Sequence, residues 1–417
     1  MNITSKIVAL SSAVAFTLQI ALALLMLRYF SPEDVGTFSV ISQIGFFWTT
    51  LALAQTPLRL LANHGASVFD DARRAWISSL QRFVLLSPVA ALAVWWSGLS
   101  FVNALLWALL LSLFQLTWML AQSMRLRMAG IWAQAGVRVL PPLMALLVAV
   151  AAVFMQWSGP ALLSAAFLGY AVGAAWMSPS LLAYWQAKFV NVSTDPSEVA
   201  LSTALHDPSH VVIAPLSGDN RSATLRMAHT FADGLLATAI VVVWQRMYGA
   251  QETGWMAAPL RVMGFVPAVV HMAWAQVLLA QPQYERTNPL WVGLAGFASA
   301  ALLGAGCAVA LEIGWLGDEW QGVWPYLLPM VVWQGSACVV AAYAHLPFLT
   351  NSARRYSWVC IGLATLQGMV LLVSTFFNFL LTPFLIFTII SVCSCIGLLG
   401  ISCWQRNLSK LIYKQQT

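Results

Sequence analysis

Apolar residues run along this chain in blocks of roughly twenty, each closed by a short cluster of polar, glycine or proline positions. A helix rising about 1.5 Å per residue needs roughly 20 apolar residues to cross the ~30 Å hydrocarbon core of a bilayer. The blocks predict such helices at about 7–27, 38–56, 83–96, 101–122, 131–154 and 160–185, and again at about 225–247, 255–279, 290–313, 323–346, 358–376 and 379–404. The polar stretch 187–223, with turn signals at Asp195-Pro196 and Asp207-Pro208, divides the two sets. The pattern therefore predicts an all-α polytopic membrane protein of about twelve transmembrane helices. Its parts would be an N-terminal six-helix lobe (1–186), an inter-lobe linker (187–223), a C-terminal six-helix lobe (224–404) and a tail (405–417). The third block is the shortest and contains Pro88. The first runs through Ala21, Leu22 and Ala23 without a polar stop and is flanked by Lys6, which suits a retained helix rather than a cleaved signal.

Composition agrees: 60% of the 417 residues are hydrophobic and 8% are charged, against about 25% charged in a soluble domain. A soluble enzyme, a disulfide-stapled secreted scaffold and a nucleic-acid binder are excluded on these figures. The cations then orient the helices. With the amino terminus in the cytoplasm, the outer segments carry only Arg28 and Arg246, Arg138 and Arg261 fall inside helices, and the remaining 16 of the 20 Lys and Arg lie in inner segments. That is the positive-inside bias, and it predicts that both termini lie in the cytoplasm. It also accounts for the basic pI of 9.1 without any nucleic acid.

The two halves share a phrase. Arg28-Tyr-Phe-Ser-Pro-Glu-Asp-Val-Gly36 recurs 218 residues later as Arg246-Met-Tyr-Gly-Ala-Gln-Glu-Thr-Gly254, with Arg, a nearby aromatic, an acid two places before Gly, and the Gly itself in register. Six helices separate the copies, so both lie on the outer face and the halves repeat in parallel about an axis along the membrane normal. Two six-helix lobes around a central cavity are the expected architecture.

The phrase Arg28-Tyr-Phe-Ser-Pro-Glu-Asp-Val-Gly-Thr-Phe38, followed by an apolar helix ending in Thr56-Pro-Leu-Arg59, resembles the start of polysaccharide (O-antigen type) flippases of the multidrug/oligosaccharidyl-lipid/polysaccharide exporter superfamily. Glu252-Thr-Gly-Trp-Met-Ala-Ala258 is similar to that family's opening of the eighth helix. The resemblance implies a carrier, not an enzyme, that moves a polyprenyl diphosphate-linked oligosaccharide to the periplasmic leaflet by alternating access, for O-antigen, capsule or exopolysaccharide synthesis. It implies no cofactor and a cavity faced by the first, second, seventh and eighth helices. The partners expected are the lipid-linked oligosaccharide and membrane lipids, with a coupling proton or sodium ion and other polysaccharide-assembly proteins beside them.

Such cargo asks for fixed cations, and a guanidinium suits a diphosphate because its planar fork binds two oxygens and stays charged when desolvated. Arg261, Arg138 and Arg59 are the candidates. The competing reading for each is a side chain reaching for the headgroups from near a helix end. Asp233 is the acid that falls inside a predicted helix, four residues after His229 and so on the same face. That pair is the candidate ion-coupling site; the alternative is a solvated acid in the first turn of a helix starting near Phe231. His271 reads as a hydrogen-bonded packing residue.

Weaker signals point elsewhere or nowhere. Gly65 to Arg74 sits where major-facilitator carriers place a Gly, Asp and basic motif, but lacks its second Gly. Pro141-Pro142, Pro259 and Pro267 would kink the fifth and eighth helices and release carbonyls. The six Cys have no metal spacing, and the Asn191 and Asn220 glycosylation patterns lie in an inner segment. The rival functions are a drug or small-solute exporter, expected to have an apolar or acidic cavity, and a membrane polymerase or ligase acting on lipid-linked sugars, expected to have a large outer loop.

Overall fold

A computed structural model of the chain describes residues 3–54, 56–57, 60, 68–127, 131–157, 160–177, 220–271, 274, 288–349, 352–376 and 382–416. The first half contains α1 (Ile3–Tyr29), α2 (Pro32–Leu53), α3 (Val68–Ser97), α4 (Phe101–Arg127), α5 (Ile131–Phe154) and α6 (Ala161–Ala175). The helical run Asn220–Val270 is broken at Gly249 (φ 83°, ψ −179°), which divides it into α7 (220–248) and α8 (250–270). Then come α9 (Pro289–Glu312), a 3-10 turn Asp318–Val323, α10 (Trp324–Tyr343), the one-turn helix Leu346–Leu349, α11 (Ala353–Phe376) and α12 (Pro383–Gln416). Ten described runs are long and apolar enough to cross a membrane; one of them, Met227–Val270, has 44 residues and so holds both α7 and α8, while α6 is a shorter apolar helix. The protein is an all-α, multi-pass membrane protein, with twelve helices of more than one turn among the described residues.

Several helix boundaries depart from the hydropathy reading; α12 continues to Gln416, so the segment predicted as a tail is helical, and three other departures have a local reason. Helix α2 begins at Pro32, not near 38, because Ser31 caps it by accepting from the Asp34 amide and Pro32 occupies its first turn. Helix α8 begins at 250, not 255, because Gly249 takes up the reversal in one residue at positive φ. Helix α3 begins at Val68, some fifteen residues before the apolar block, because its polar first turns are buried in the lobe. There Asp71, 9% exposed, receives Arg127 of α4, 6% exposed, at 2.8 Å and Arg74 at 2.9 Å. The segment ending at Arg74 thus ties α3 to the end of α4. The linker predicted at 187–223 lies largely outside the described residues.

The prolines do not break their helices. Pro88 in α3 leaves the Val84 carbonyl without an amide donor, and Ser87 Oγ donates to it at 2.8 Å. Pro141 in α5 does the same to Val137, whose carbonyl accepts the Trp118 indole N–H at 2.8 Å. The carbonyl released by Pro141 therefore serves packing between α4 and α5.

Helices α1 to α6 pack among themselves, chiefly α1 on α5, α5 on α6, α6 on α4, and α2 on α3 and α4. In the second half α9 packs on α10, α10 on α12, and α11 on both α12 and the α7–α8 segment. The most extensive helix contact in the molecule joins the halves: α2 against the α7–α8 segment. Phe16 of α1 meets Phe265 of α8 edge-on at 5.7 Å, and Phe47 of α2 lies 5.9 Å from Phe231 of α7. The halves thus meet chiefly through α2 and the α7–α8 segment, with smaller contacts from α3 and α1. Leu85, Val102, Leu302 and Phe376 point outward, matching a lipid surround. Hydrogen bonds such as Thr49 Oγ1 to the Ser112 carbonyl, 2.9 Å, join helices where burial from water supplies no drive.

Candidate site at the seam between the lobes

Arg261 sits at the seam. Counted from residue 250 it lies eleven residues down α8, which at 1.5 Å per residue is about 16 Å, close to the middle of a ~30 Å core. Its guanidinium donates from Nη2 to Ser42 Oγ of α2 and stands 4.4 Å from the centre of the Phe38 ring. Tyr170 of α6 is close enough to interact with its charge. Among the described residues no carboxylate lies within ion-pairing distance of Arg261. The side chain is directed across the seam, from α8 of one lobe to α2 of the other. A cation kept at that depth is costly, and its neighbours are a hydroxyl and an aromatic face, both of which leave donors on the fork for a ligand.

The other candidates are placed differently. Arg138 lies seven residues into α5 and donates from Nη1 to Ser12 Oγ of α1 at 2.9 Å, so it is held within the first lobe rather than beside Ser42. Arg59 lies outside the described residues. His229 and Asp233 are brought together: Nε2 and Oδ2 are 3.0 Å apart, with the histidine side chain 19% exposed and the carboxylate 57% exposed. Because α7 starts at Asn220, Asp233 is several turns inside the helix and is not a first-turn acid. His271, expected to be packed, is exposed where α8 ends, because the helix loses its regular pattern there.

Some partners of these residues were not singled out from the sequence. Tyr356 of α11 meets the His229 ring edge-on at 5.7 Å, and Cys360, one turn further along α11, is within hydrogen-bonding reach of His229. The two α11 residues have the same four-residue spacing as His229 and Asp233, the one signal that could have paired the helices. Ser42 and Phe38 also lie four apart on one face of α2. Hydroxyls and phenyl rings are common enough in apolar helices that nothing in their spacing marked them.

No protein-family profile matches the sequence, and comparison with curated proteins gives no match. Among solved structures, the lipid II flippase MurJ in an inward closed conformation matches over 94% of this chain and 86% of its own, with a TM-score of 0.58 and 11% identity. The chain has the MurJ fold. An inward-facing multidrug resistance MATE family transporter of the MOP superfamily aligns over 99% of this chain and 96% of its own, at a TM-score of 0.41 and 13% identity. The likeness to MurJ runs through both halves of the chain.

Proposed function

We propose that this protein is a transporter that moves a polyprenyl diphosphate-linked oligosaccharide from the cytoplasmic to the periplasmic leaflet by rocking its two lobes. The observation that carries this reading is Arg261: a guanidinium at mid-membrane depth, on the face where the lobes meet, with no carboxylate partner among the described residues. A diphosphate supplies the charge that such a site lacks, and a planar fork receives two of its oxygens at once. A drug exporter for cationic or apolar solutes would gain nothing from a fixed cation there. The flippase activity of the structural neighbour MurJ is in keeping with this cargo class.

Arg138, bonded to Ser12 on α1, would present a second cation along the same path, and Arg59 a third at the inner end. His229 and Asp233, with Tyr356 and Cys360 against them, would take up a proton or a sodium ion in one lobe position and release it in the other. The test is complementation of a strain lacking its own polysaccharide flippase. Arg261→Ala should abolish surface polysaccharide at unchanged protein level, and Arg261→Lys should restore only part of it. Full polysaccharide from Arg261→Ala would refute the reading.

A further inference from the structure

The repeated phrase of the two halves has a structural counterpart. Gly36 and Gly254 face each other where α2 crosses α8. A Cβ on Gly36 would lie 1.9 Å from the Ala250 carbonyl oxygen and 2.9 Å from the Gly254 amide, and a Cβ on Gly254 would lie 1.9 Å from the Pro32 carbonyl oxygen. The two backbones touch there, and only residues without a side chain allow it.

The two arginines of the phrase cross in opposite directions on that same face. Arg28, at the end of α1, reaches into the second lobe. Its Nη1 donates to the Trp315 carbonyl in the turn after α9, and its guanidinium lies 5.7 Å from the Trp315 ring. Arg246, near the end of α7, reaches into the first lobe: a Cβ on Gly98, in the turn after α3, would lie 3.2 Å from its Nη1. Helices α1 and α3 of one lobe correspond to α7 and α9 of the other, so the contact is made twice, by equivalent parts, in exchange. The receiving turns match too, with Gly98 at φ 78° and Gly314 at φ 67°.

We propose that the repeated Arg and Gly positions form the outer gate of the carrier: Gly36 and Gly254 let α2 and α8 close backbone to backbone, and Arg28 and Arg246 latch each lobe to the other's outer turn. The cation distribution assigns this face to the periplasm. For cargo to leave there, α2 and α8 must part at the glycines and both arginines must let go. Each arginine contacts an uncharged turn, so a water molecule can replace the turn at small cost, and the latch can open without separating an ion pair. The inference rests on the two-lobe rocking motion proposed above, but its test uses no cargo.

The experiment measures the distance between spin labels on the outer turns of the two lobes. Labels are attached through Ser100→Cys and Asp318→Cys in a chain whose six native cysteines are replaced, reconstituted in nanodiscs without substrate. The parent should give mainly one short distance. Arg28→Ala with Arg246→Ala should raise the long-distance population at least threefold, whereas Arg28→Lys with Arg246→Lys should stay near the parent because each Lys keeps the charge and a donor. If the Ala pair is poorly produced, Arg28→Met with Arg246→Met replaces it, since it keeps side-chain bulk without the charge or a donor. A distribution identical to the parent's in whichever pair folds overturns the gate. A normal distance shift together with failed transport of lipid-linked sugar would sink only the cargo reading, so the two failures are separable.

Discussion

Trp118 and Val137 are joined by a 2.8 Å hydrogen bond from the indole N–H to the carbonyl that Pro141 leaves without its helical donor. The bond explains how α5 passes through two prolines while packed against α4, because a carbonyl released in a membrane has no water to turn to. Replacing Trp118 by Phe keeps the aromatic bulk and leaves that carbonyl without its donor. The expected loss is about 1–3 kcal/mol of stability, read as a lower thermal midpoint in detergent-solubilised protein. An unchanged midpoint would mean that the bond contributes nothing.

The pair between Asp71 and Arg127 is buried on both sides, 9% and 6% exposed, and ties the start of α3 to the end of α4. Removing one partner leaves the other charge uncompensated, so Asp71→Ala should cost about 3–5 kcal/mol, while Asp71→Leu combined with Arg127→Met should recover most of it. Thermal denaturation of the single and double variants checks the sign. Equal loss in both would argue that the side-chain shapes matter and the charges do not.

Two glycines should respond for different reasons. Gly36→Ala brings a Cβ to 1.9 Å from a backbone oxygen, so it should force α2 and α8 apart and destabilise the protein by about 1–3 kcal/mol or more. Gly249→Ala meets nothing within 4 Å, but its φ of 83° is left-handed, so the cost should be the smaller conformational one of about 1–2 kcal/mol. Thermal midpoints of the two variants, compared in one membrane mimic, test the ordering. A larger loss at Gly249 would contradict the close crossing.

Asp233, several turns into α7 and 3.0 Å from His229, is the coupling site of the proposed carrier. A charge moved through the membrane potential supplies about 2.3 kcal/mol per 100 mV, enough to bias a lobe motion. Asp233→Asn should keep the fold and cargo binding and lose any response of transport to an imposed proton or sodium gradient, and Asp233→Glu should keep part of it. Vesicles with an imposed gradient provide the measurement. A parental response from the Asn variant would move the coupling site elsewhere.

Hydropathy made the twelve helices and the two halves legible, because a bilayer demands long apolar runs whatever the sequence between them. It could not see the first turns of α3, where Asp71, Arg74 and Arg127 neutralise one another, since a buried ion pair reads locally as a polar loop. The same limit hid the length of α8. A single glycine at φ 83° replaces a turn of several residues, and the shift moved Arg261 from near a helix end to mid-depth. The repeat at Arg28 and Arg246 was visible as letters, yet only the fold shows that each copy reaches the opposite lobe. Arg261 was legible as a charge out of place, whereas Ser42 and Phe38, which hold it, carried no mark of their own.

On the proposed function, the Arg261 guanidinium at the seam takes the diphosphate of a lipid-linked sugar. The most direct measurement is leaflet exchange of a fluorescent polyprenyl diphosphate-linked oligosaccharide in proteoliposomes containing the purified protein, its Arg261→Ala variant or its Arg261→Lys variant. Loss of one charge-assisted contact of about 1.5–3 kcal/mol predicts at least a tenfold slower exchange for Arg261→Ala, a partial rate for Arg261→Lys, and no exchange of a neutral polyprenyl alcohol by any of them. Exchange by Arg261→Ala at the parental rate, or no exchange by the parent protein, would contradict the account.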